Sequence, residues 1–256
     1  MQNNTFSTLF IAQKLIHLEA VDSTNNYLKV LLSKSEPLAE GTVILADNQF
    51  SGRGQRGNTW LSEPGLNLTF SILLNPTLLK VEHQFKLNMA VSIGIKNALC
   101  KYVPEEIKVK WPNDIYFGKK KIGGVLIENT LQGNVIKHSI IGIGINVNQR
   151  EFGSLPNGRA SSIAEILQQD VDLRTILEQI CHCIEAQYLR LLAGSGKTQH
   201  QEYLNCLYLY GLPSTFKSSE GNFVGIISDV ANTGELLLKT EEGDRHFGFK
   251  EIEFLD

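Results

Sequence analysis

Three runs of strand-forming residues follow one another in the middle of the chain, and they constrain the fold more than any other feature. They read IKVKWPNDIYF, KIGGVLIENT and NVIKHSIIGIGINVN, with only GKK and LQG between them. A parallel pair of strands needs a crossover of about a dozen residues or more, whereas connections this short suit hairpins. The spacing therefore predicts antiparallel pairing over residues 107–148.

The flanking segments add further strands and several helices. Strands are predicted in KLIHLEAV, TVILADNQ and NLTFSILL, which are rich in strand-forming residues. Helices are predicted in DSTNNYLKVLL, in EHQFKLNMAVSIGIKNALCKYV and across residues 161–208, where Ser161 or Ser162 suits an N-cap. Strands and helices of this kind predict an α+β fold, in which helices pack on a mixed, mostly antiparallel sheet.

The pattern changes near Leu212, where short strands with Gly or Asn turns replace the helices. This stretch is too short to bury much of a core by itself, so we expect it to pack on the larger unit. The predicted domains are residues 1–208 and a small β domain of residues 209–256.

Composition excludes several classes of protein. The chain has 24 Lys and Arg against 27 Asp and Glu, a net charge of −3, whereas a general nucleic-acid binder usually carries a positive excess. No DNA partner is therefore expected. The N-terminal sequence MQNNTFSTLFIAQKLIHLEA has no basic region before a long apolar run, and no stretch suits a membrane span. We predict a cytoplasmic protein.

Two of the four cysteines, Cys181 and Cys183, flank His182 and raise the question of a metal site. They fall in a helix-like segment, where positions two apart face different directions, and nothing nearby completes a tetrahedral set. We therefore predict reduced thiols, including Cys100 and Cys206, and no metal site at these cysteines.

The segment SGRGQRGNTW, residues 51–60, contains the spacing G-x-G-x-x-G of dinucleotide-binding loops. Such a loop requires a helix directly after it, because the helix N-terminus carries the pyrophosphate. Pro64 and Gly65 interrupt any helix here, a strand follows, and the expected acidic residue is missing. A kinase glycine loop is excluded as well, since the chain has neither H-R-D nor D-F-G.

The chemistry of this loop still indicates an anionic ligand. Glycines allow backbone N–H groups to converge on an oxyanion, and Arg53 and Arg56 offer planar donors for phosphate or carboxylate. The alternative is a solvated basic loop without function.

The segment VKWPNDI places Pro112 inside a strand-like run, where it removes a ladder donor. We expect the strand to bulge or to lie at an edge, which would direct Asn113 and Asp114 towards a ligand. The alternative is a plain Asn-Asp turn after the proline.

Lys121 stands directly before the Ile122–Gly124 stretch, whose glycines allow close approach, and there it would act as a fixed positive charge. Its neighbours Lys119 and Lys120 are expected to be solvated turn residues. In the later strand GIGINVN, glycines again suggest close approach. Asn146 and Asn148 at its end suit either contacts with an adenine edge or a simple strand cap.

Taken together, DSTNNYL, GRGQRGNTW, KWPNDI, KIGGVLIE and GIGINVN resemble the motifs of biotin protein ligases in order and spacing. The resemblance extends from about residue 15 to the end of the chain. It implies a class II synthetase-like catalytic core with a C-terminal SH3-like β-barrel.

The same resemblance implies an enzyme that makes biotinyl-adenylate from biotin and MgATP and transfers biotin to a lysine of a carboxylase's biotin carboxyl carrier domain. Mg²⁺ is expected to be held mainly through the substrate phosphates. Members of the family occur as monomers and dimers, so a homodimer is compatible with the resemblance.

The resemblance also assigns roles to individual residues. For biotin these are Ser23, Thr24, Asn25, Gln49, Gly52, Arg53, Gly54, Gln55 and Lys121. For ATP or the adenylate they are Arg53, Arg56, Trp60, Asn113, Lys121 and Asn146. The catalytic residues are expected to be Lys121, Arg53 and Asp114, the last of which would act on the acceptor amine.

The chain departs from the family pattern at two points. Many bacterial members have Arg where this chain has Gln55, and the lost charge is expected to weaken retention of the adenylate. The D-S-T-N motif begins at Asp22, which indicates a monofunctional ligase without the N-terminal DNA-binding domain of bifunctional members.

Two other functions remain as alternatives. Lipoate-protein ligases and octanoyltransferases resemble the same fold, although GRGQRG and KWPND favour biotin. A non-enzymatic, SH3-like interaction module would leave the charged glycine loop and Lys121 unexplained.

Overall fold

The computed structural model describes residues 6–34, 37–103, 107–152 and 160–255. Seven strands form the larger sheet: β1 Leu15–Val21, β2 Val43–Gln49, β3 Leu68–Leu74, β4 Ile107–Lys110, β5 Asp114–Phe117, β6 Lys120–Gln132 and β7 Val135–Ile145. Their order across the sheet is β1-β2-β3-β7-β6-β5-β4. Only β1 and β2 pair in parallel, and the other neighbours are antiparallel. The predicted α+β class with a mixed, mostly antiparallel sheet is therefore confirmed.

In the described ranges, five α-helices accompany this sheet: α1 Thr24–Leu32, α2 Phe85–Leu99, α3 Ile163–Leu167, α4 Leu173–Leu192 and α5 Gly196–Cys206. The single parallel pair, β1 and β2, is joined through α1, as a crossover requires. Helix α3 is capped by Ser162, whose hydroxyl accepts a hydrogen bond from the backbone N–H of Glu165. No helix in the described ranges is long and apolar enough to cross a membrane.

The hydrophobic core lies on both faces of the sheet. On one face, Leu28 of α1 packs with Ile44, Leu73 and Ile140. On the other face, α2, α4 and α5 cover a much larger cluster. Strand β3 is buried along its whole length because helices cover both of its faces.

Residues 107–117 form two strands, not the single strand that the sequence suggested, and β4 lies at the edge of the sheet. The chain reverses at Trp111–Asn113, so that β4 and β5 pair as an antiparallel hairpin. The peptide bond between Trp111 and Pro112 is cis. A turn was the alternative interpretation, but it includes Pro112 itself and ends at Asn113, since Asp114 begins β5. The physical reason for the turn is that proline cannot continue the ladder.

The C-terminal segment forms a second, five-stranded antiparallel sheet. Its strands are β8 Pro213–Ser218, β9 Gly221–Val230, β10 Leu236–Thr240, β11 Gly243–Phe247 and β12 Glu253–Phe254, in the order β11-β10-β9-β8-β12. Phe216 is fully buried against Phe254 at a centroid distance of 5.1 Å. The boundary between residues 208 and 209 stays a prediction.

This second sheet is attached beside the Trp111 turn. The indole Nε1 of Trp111 donates to the carbonyl of Gly234 at 2.9 Å. The ring of Phe249 lies 5.4 Å from Trp111 and 6.1 Å from Phe85, between centroids. Gly234 has φ +100°, and a Cβ there would lie 2.7 Å from the Phe85 ring. The attachment therefore fixes the loop that follows Phe249 next to the turn.

Candidate functional site

A cavity of about 230 Å³ opens on the α1 face of the large sheet. It forms because the residues that face this side near the strand ends are small. In the paired strands β6, β7 and β3 these positions are Gly124, Gly142, Gly144 and Ser71. Further along the same face, larger residues such as Leu73 and Ile140 pack against α1. The cavity therefore forms because alternate positions in three neighbouring strands carry glycine or serine.

The glycines of GIGINVN provide the close approach that the sequence suggested. A Cβ on Gly142 would lie 2.5 Å from Oδ1 of Asn25, and one on Gly144 would lie 2.3 Å from the ring of Trp60. Real Cβ atoms do not approach other atoms so closely, so an alanine at either position must displace a side chain that lines the cavity.

One end of the cavity is lined by neutral polar groups. The amide oxygen of Gln49 accepts hydrogen bonds from the backbone N–H of Thr24 at 2.9 Å and from its hydroxyl at 3.2 Å. The hydroxyl of Ser71 lies 2.7 Å from Oγ1 of Thr24 and 2.6 Å from Oδ1 of Asn25. The side chains of Ser23, Thr24 and Asn25 are buried. This end is formed by hydrogen bonds that hold its side chains in place without a ligand.

The glycine loop covers the cavity as a closed turn. The backbone N–H of Gly54 donates to the carbonyl of Asn58 at 2.7 Å, and that of Trp60 donates to Gly52 at 3.0 Å. A single turn of 3-10 helix over Gln55–Gly57 is followed by strand β3, so the exclusion of a dinucleotide loop is confirmed. Gln55 lines the cavity. The side chain of Arg56 lies outside the described residues.

Arg53 is held at the mouth of the cavity by an acidic residue that the sequence did not single out. Its guanidinium approaches Glu128 through NH2–Oε1 at 3.0 Å and NH1–Oε2 at 3.3 Å. Lys29 lies 2.6 Å from the same carboxylate, and Nδ2 of Asn25 donates to it at 2.8 Å. Burial acts to raise the pKa of Glu128, but the hydrogen bonds from Lys29 and Asn25 and the charges of Lys29 and Arg53 outweigh it and lower that pKa.

Lys121 lies in the cavity wall beside a second carboxylate. Its ammonium is 2.7 Å from Oδ1 of Asp114 and 5.8 Å from the centroid of the Trp60 ring. Asp114 is paired in register with Gly124, and a Cβ on that glycine would lie 3.3 Å from the carboxylate and 3.5 Å from the ammonium. The small residue thus leaves room for this ion pair above the sheet.

Trp60 and Asn113 flank the same region. The Nε1 donor of Trp60 is buried and has no hydrogen-bond partner in the part of the chain that the structure describes. A buried donor without a partner is costly unless a ligand accepts from it. Asn113 is buried and its side-chain Nδ2 donates to the carbonyl of Val125, so that the turn is fixed against β6.

The two strand-end asparagines do not line the cavity. Nδ2 of Asn146 donates to the carbonyl of Ser161 at 3.0 Å, and Nδ2 of Asn148 donates to Val171 at 2.9 Å. The backbone N–H of Ser161 in turn donates to the carbonyl of Lys121 at 3.0 Å. Asn146 therefore supports the segment beside Lys121, and its contact with a nucleotide stays a prediction.

Lys250 is a cavity residue that sequence reasoning missed. It comes from the C-terminal sheet, in the loop after Phe249, and has φ +67°. No local pattern marks it, because its position depends on how the second sheet is attached. Glu128, in contrast, stands at the end of KIGGVLIE, where an acidic residue after an apolar run is a local signal of a charged partner.

The cysteines show no site of their own. All four are free thiols, and burial raises the pKa of Cys206 to about 11 and that of Cys181 far above its ordinary value. In the described ranges, no group of three or more His, Cys, Asp or Glu residues is arranged to hold a metal ion.

Comparison with known proteins identifies relatives along nearly the whole chain. Residues 18–146 match the biotin/lipoate A/B protein ligase family. The chain is similar to the biotin--[acetyl-CoA-carboxylase] ligase of Paracoccus denitrificans, at 29% identity over 93% of this chain and 99% of that one. It is also similar to the bifunctional ligase/repressor BirA of Bacillus subtilis, at 27% identity over 96% of this chain and 75% of that one.

A solved structure agrees with these matches. The biotin protein ligase of Aquifex aeolicus in complex with biotin and ATP superposes with a TM-score of 0.78 at 32% identity. The match covers 94% of this chain and 97% of that one. The class II synthetase-like core that the resemblance implied is confirmed by this likeness.

Proposed function

Because the chain belongs to the biotin/lipoate A/B protein ligase family, we propose that it is an ATP-dependent ligase that joins biotin to a carboxylase. One observation carries the proposal. Five motifs that are far apart in the sequence contribute residues to a single cavity, namely Asn25, Arg53, Asp114, Lys121 and Gly144. Relatives named as biotin ligases support biotin over lipoate as the substrate.

In the first step, a carboxylate oxygen of biotin attacks the α-phosphorus of ATP. The bond between the α-phosphorus and the bridging oxygen breaks, and biotinyl-5′-AMP and pyrophosphate are formed. The two reactants are both anions, so they repel each other unless cations lie between them. Fixed positive charges and correct positioning then lower the barrier.

Lys121 and Arg53 are the cations that we assign to this step. Each is paired with a carboxylate, Asp114 or Glu128, and each remains partly exposed to the cavity mouth. Incoming carboxylate and phosphate oxygens can therefore replace the protein carboxylates as partners of these cations. Mg²⁺ enters with ATP, and the phosphates supply most of its oxygen ligands.

In the second step, an uncharged lysine amine of the biotin carboxyl carrier domain attacks the acyl carbon of biotinyl-5′-AMP. An amide forms, AMP leaves, and the amine gives up a proton. Asp114 is our candidate to orient the amine or accept that proton. Its carboxylate is released for this role when Lys121 turns to the adenylate.

We assign the two ends of biotinyl-5′-AMP to the two ends of the cavity. For the biotin ring system we assign the neutral end, with Ser23, Thr24, Asn25 and Gln49, together with the loop residues Gly54 and Gln55. Gly52, which the resemblance also implies, lies outside the cavity lining. For the nucleotide we assign Trp60 and Asn113, which line the cavity, together with Arg56 and Asn146, which only the family resemblance implies. The orphaned Nε1 of Trp60 supports the assignment, since a ligand oxygen or nitrogen would satisfy it.

The free thiols favour the cytoplasm as the compartment in which this reaction takes place, because disulfides form in oxidising compartments. ATP and carboxylase acceptors are substrates that suit the same compartment.

One assay tests the proposed function against its alternatives. The protein is mixed with MgATP, an apo biotin-acceptor domain and either biotin or lipoate, and the mass of the acceptor is measured. We expect a mass gain with biotin that requires ATP. A gain with lipoate alone would show a lipoate ligase, and no gain with either would leave the interaction module.

A further inference from the structure

Ser71 lies beneath the neutral end of the cavity, in a strand whose seven residues are all buried. A buried hydroxyl is costly unless it forms hydrogen bonds. That of Ser71 lies 2.7 Å from Oγ1 of Thr24 and 2.6 Å from Oδ1 of Asn25. Thr24 and Asn25 both line the cavity, whereas Ser71 lies below that lining. Ser71 can therefore influence a ligand only through these two neighbours.

The contacts at Ser71 leave one arrangement of hydrogen bonds, because a hydroxyl has a single proton to donate. The carboxylate of Glu128 binds the ammonium of Lys29 at 2.6 Å, so it is ionised and only accepts. Nδ2 of Asn25 therefore faces Glu128, at 2.8 Å, and its amide oxygen Oδ1 faces Ser71. Since an amide oxygen only accepts, the proton of Ser71 goes to Asn25.

The hydroxyl proton of Thr24 is fixed by the same reasoning. Two hydroxyl oxygens 2.7 Å apart repel each other unless a proton lies between them, and the proton of Ser71 is already donated to Asn25. Thr24 therefore donates to Ser71. Its longer contact with the amide oxygen of Gln49, at 3.2 Å, takes the lesser share of the same proton. That oxygen also accepts from the backbone N–H of Thr24 at 2.9 Å.

The donors thus run in one direction, from Thr24 through Ser71 and Asn25 to the carboxylate. Thr24 keeps lone pairs but no proton for the cavity, so it can meet a ligand only as an acceptor. The opposite direction would place a lone pair of Ser71 2.6 Å from Oδ1 of Asn25 and leave that oxygen without its donor, which is costly. An ionised group three hydrogen bonds away therefore decides which role Thr24 offers.

We propose that Ser71 is a positioning residue of the neutral end, which holds the hydroxyl proton of Thr24 so that Thr24 accepts hydrogen bonds from the ligand and does not donate them. This inference deepens the proposed function and rests on it, because the ligand is biotin. The ring system of biotin carries a ureido group with two N–H donors. An oxygen that only accepts selects such a donor over a ligand oxygen at the same position, since two facing acceptors are left unpaired.

The first test compares biotin with a cyclic carbonate of the same shape, in which oxygen atoms replace the two ureido N–H groups. Calorimetry measures the Kd of each ligand. The unmodified protein should bind biotin about 100-fold more tightly than the carbonate. In Ser71→Ala the hydroxyl of Thr24 can turn and donate to a ligand oxygen, so this ratio should fall about tenfold. A role in structure alone would weaken both ligands equally and leave the ratio unchanged.

Ser139→Ala is the matched control for this comparison. Ser139 is also fully buried, and its hydroxyl donates to Oδ1 of Asn129 at 2.8 Å, but neither residue lines the cavity. The substitution should leave both Kd values within about twofold of those of the unmodified protein. If Ser71→Ala fails to fold, Ser71→Cys replaces the hydroxyl with a weaker donor and acceptor, and the ratio should fall about threefold.

The second test is biotin-dependent exchange between ATP and pyrophosphate. Ser71→Ala should raise KM for biotin about tenfold, the size expected when a ligand loses one well-placed hydrogen-bonding partner. The value of kcat and KM for ATP should stay within about twofold, because the charged end of the cavity is unaltered.

An unchanged ratio of affinities in Ser71→Ala would overturn the proposal, and so would an equal change in Ser139→Ala. A rise in KM for ATP as large as that for biotin would show a general structural role and overturn it as well. If the unmodified protein binds no biotin, the proposed function fails and this inference fails with it. Normal binding of biotin with an unchanged ratio in Ser71→Ala would leave the proposed function intact and refute only the role of Ser71.

Discussion

The two ends of the cavity are held together by different forces. At the neutral end, Gln49, Thr24, Ser71 and Asn25 are joined by hydrogen bonds, and all but Gln49 are buried. At the charged end, the cations Lys29, Arg53 and Lys121 are paired with two carboxylates, Glu128 and Asp114, that are partly exposed to water. The first end is formed before a ligand arrives, whereas the second must exchange partners when anions bind. A single site thus combines a rigid half, suited to recognition, with a half that can respond to charge.

The largest effect should come from removing a cation of the charged end. Lys121→Met removes the ammonium 2.7 Å from Asp114, and we expect the rate of adenylate formation to fall about 100-fold to 1,000-fold, as for the loss of one preorganised charge. Exchange between ATP and pyrophosphate measures this step. Lys119→Met, which removes a nearby exposed lysine, is the control. Equal losses in both variants would contradict a special role for Lys121.

Asp114, the carboxylate partner of Lys121, should affect the second half-reaction, the transfer of biotin to the acceptor. Asp114→Asn keeps the shape of the side chain but cannot accept a proton, so we expect transfer to the acceptor lysine to slow about 100-fold while adenylate formation is spared. Single-turnover transfer from preformed adenylate separates the two steps. The control is Asp229→Asn in the C-terminal sheet, which removes the carboxylate that pairs with His200 of α5. It should change neither step. Equal loss of both steps would count against the role of Asp114.

The rigid half can be tested by adding one carbon atom. Gly142→Ala places a methyl group against Oδ1 of Asn25, and overpacking of this kind costs about 1–3 kcal/mol. We expect KM for biotin to rise about tenfold, measured with saturating MgATP, while KM for ATP changes little. Gly196→Ala is the matched control, since its Cβ would meet its nearest neighbour at an ordinary 3.7 Å. A change in KM for ATP alone would show that the neutral end does not hold biotin.

The smallest expected effect is the pH dependence of stability that the charged end contributes through Glu128. Because the pKa of Glu128 is lowered in the folded protein, its ion pairs stabilise the fold above the ordinary pKa of 4.5 and lose that effect as pH falls through the lowered value. The contribution is about 1 kcal/mol or less, since the pairs are partly screened by water. The Tm values at pH 7 and pH 3 should therefore differ more in the unmodified protein than in Glu128→Gln. The same gap in both would show that these pairs do not contribute.

Local sequence predicted the elements and much of the chemistry. The hairpins of β5, β6 and β7 follow from connections too short for a crossover, and the structure confirms them. The prediction of one strand over residues 107–117 was wrong, although β4 does lie at the edge of the sheet, as one of the two predicted outcomes required. A proline in a run of strand formers fits a bulge, an edge strand and a turn equally well. Only the pairing of β4 with β5 distinguishes these outcomes.

The partners of the charged groups, in contrast, could not be predicted from local sequence. Arg53 and Glu128 are 75 positions apart, and Lys29 and Glu128 are 99 apart. Lys250 reaches the cavity from the second sheet through the packing of Phe249 on Trp111. No periodicity or spacing encodes such contacts, since they depend on how whole elements are placed.

By itself, the sequence determined which segments become strands and helices, that the glycine loop cannot serve a dinucleotide, and which residue types are available for an anionic ligand. These properties depend on backbone conformation and on chemistry within a few residues. The tertiary structure alone decided that the five motifs share one cavity and that Asn146 supports the wall beside Lys121. It also decided which carboxylates pair with the cations, namely Glu128 with Arg53 and Asp114 with Lys121. The physical reason is that hydrogen bonds and ion pairs act over a few ångströms, and only folding brings residues so distant in the chain within that range.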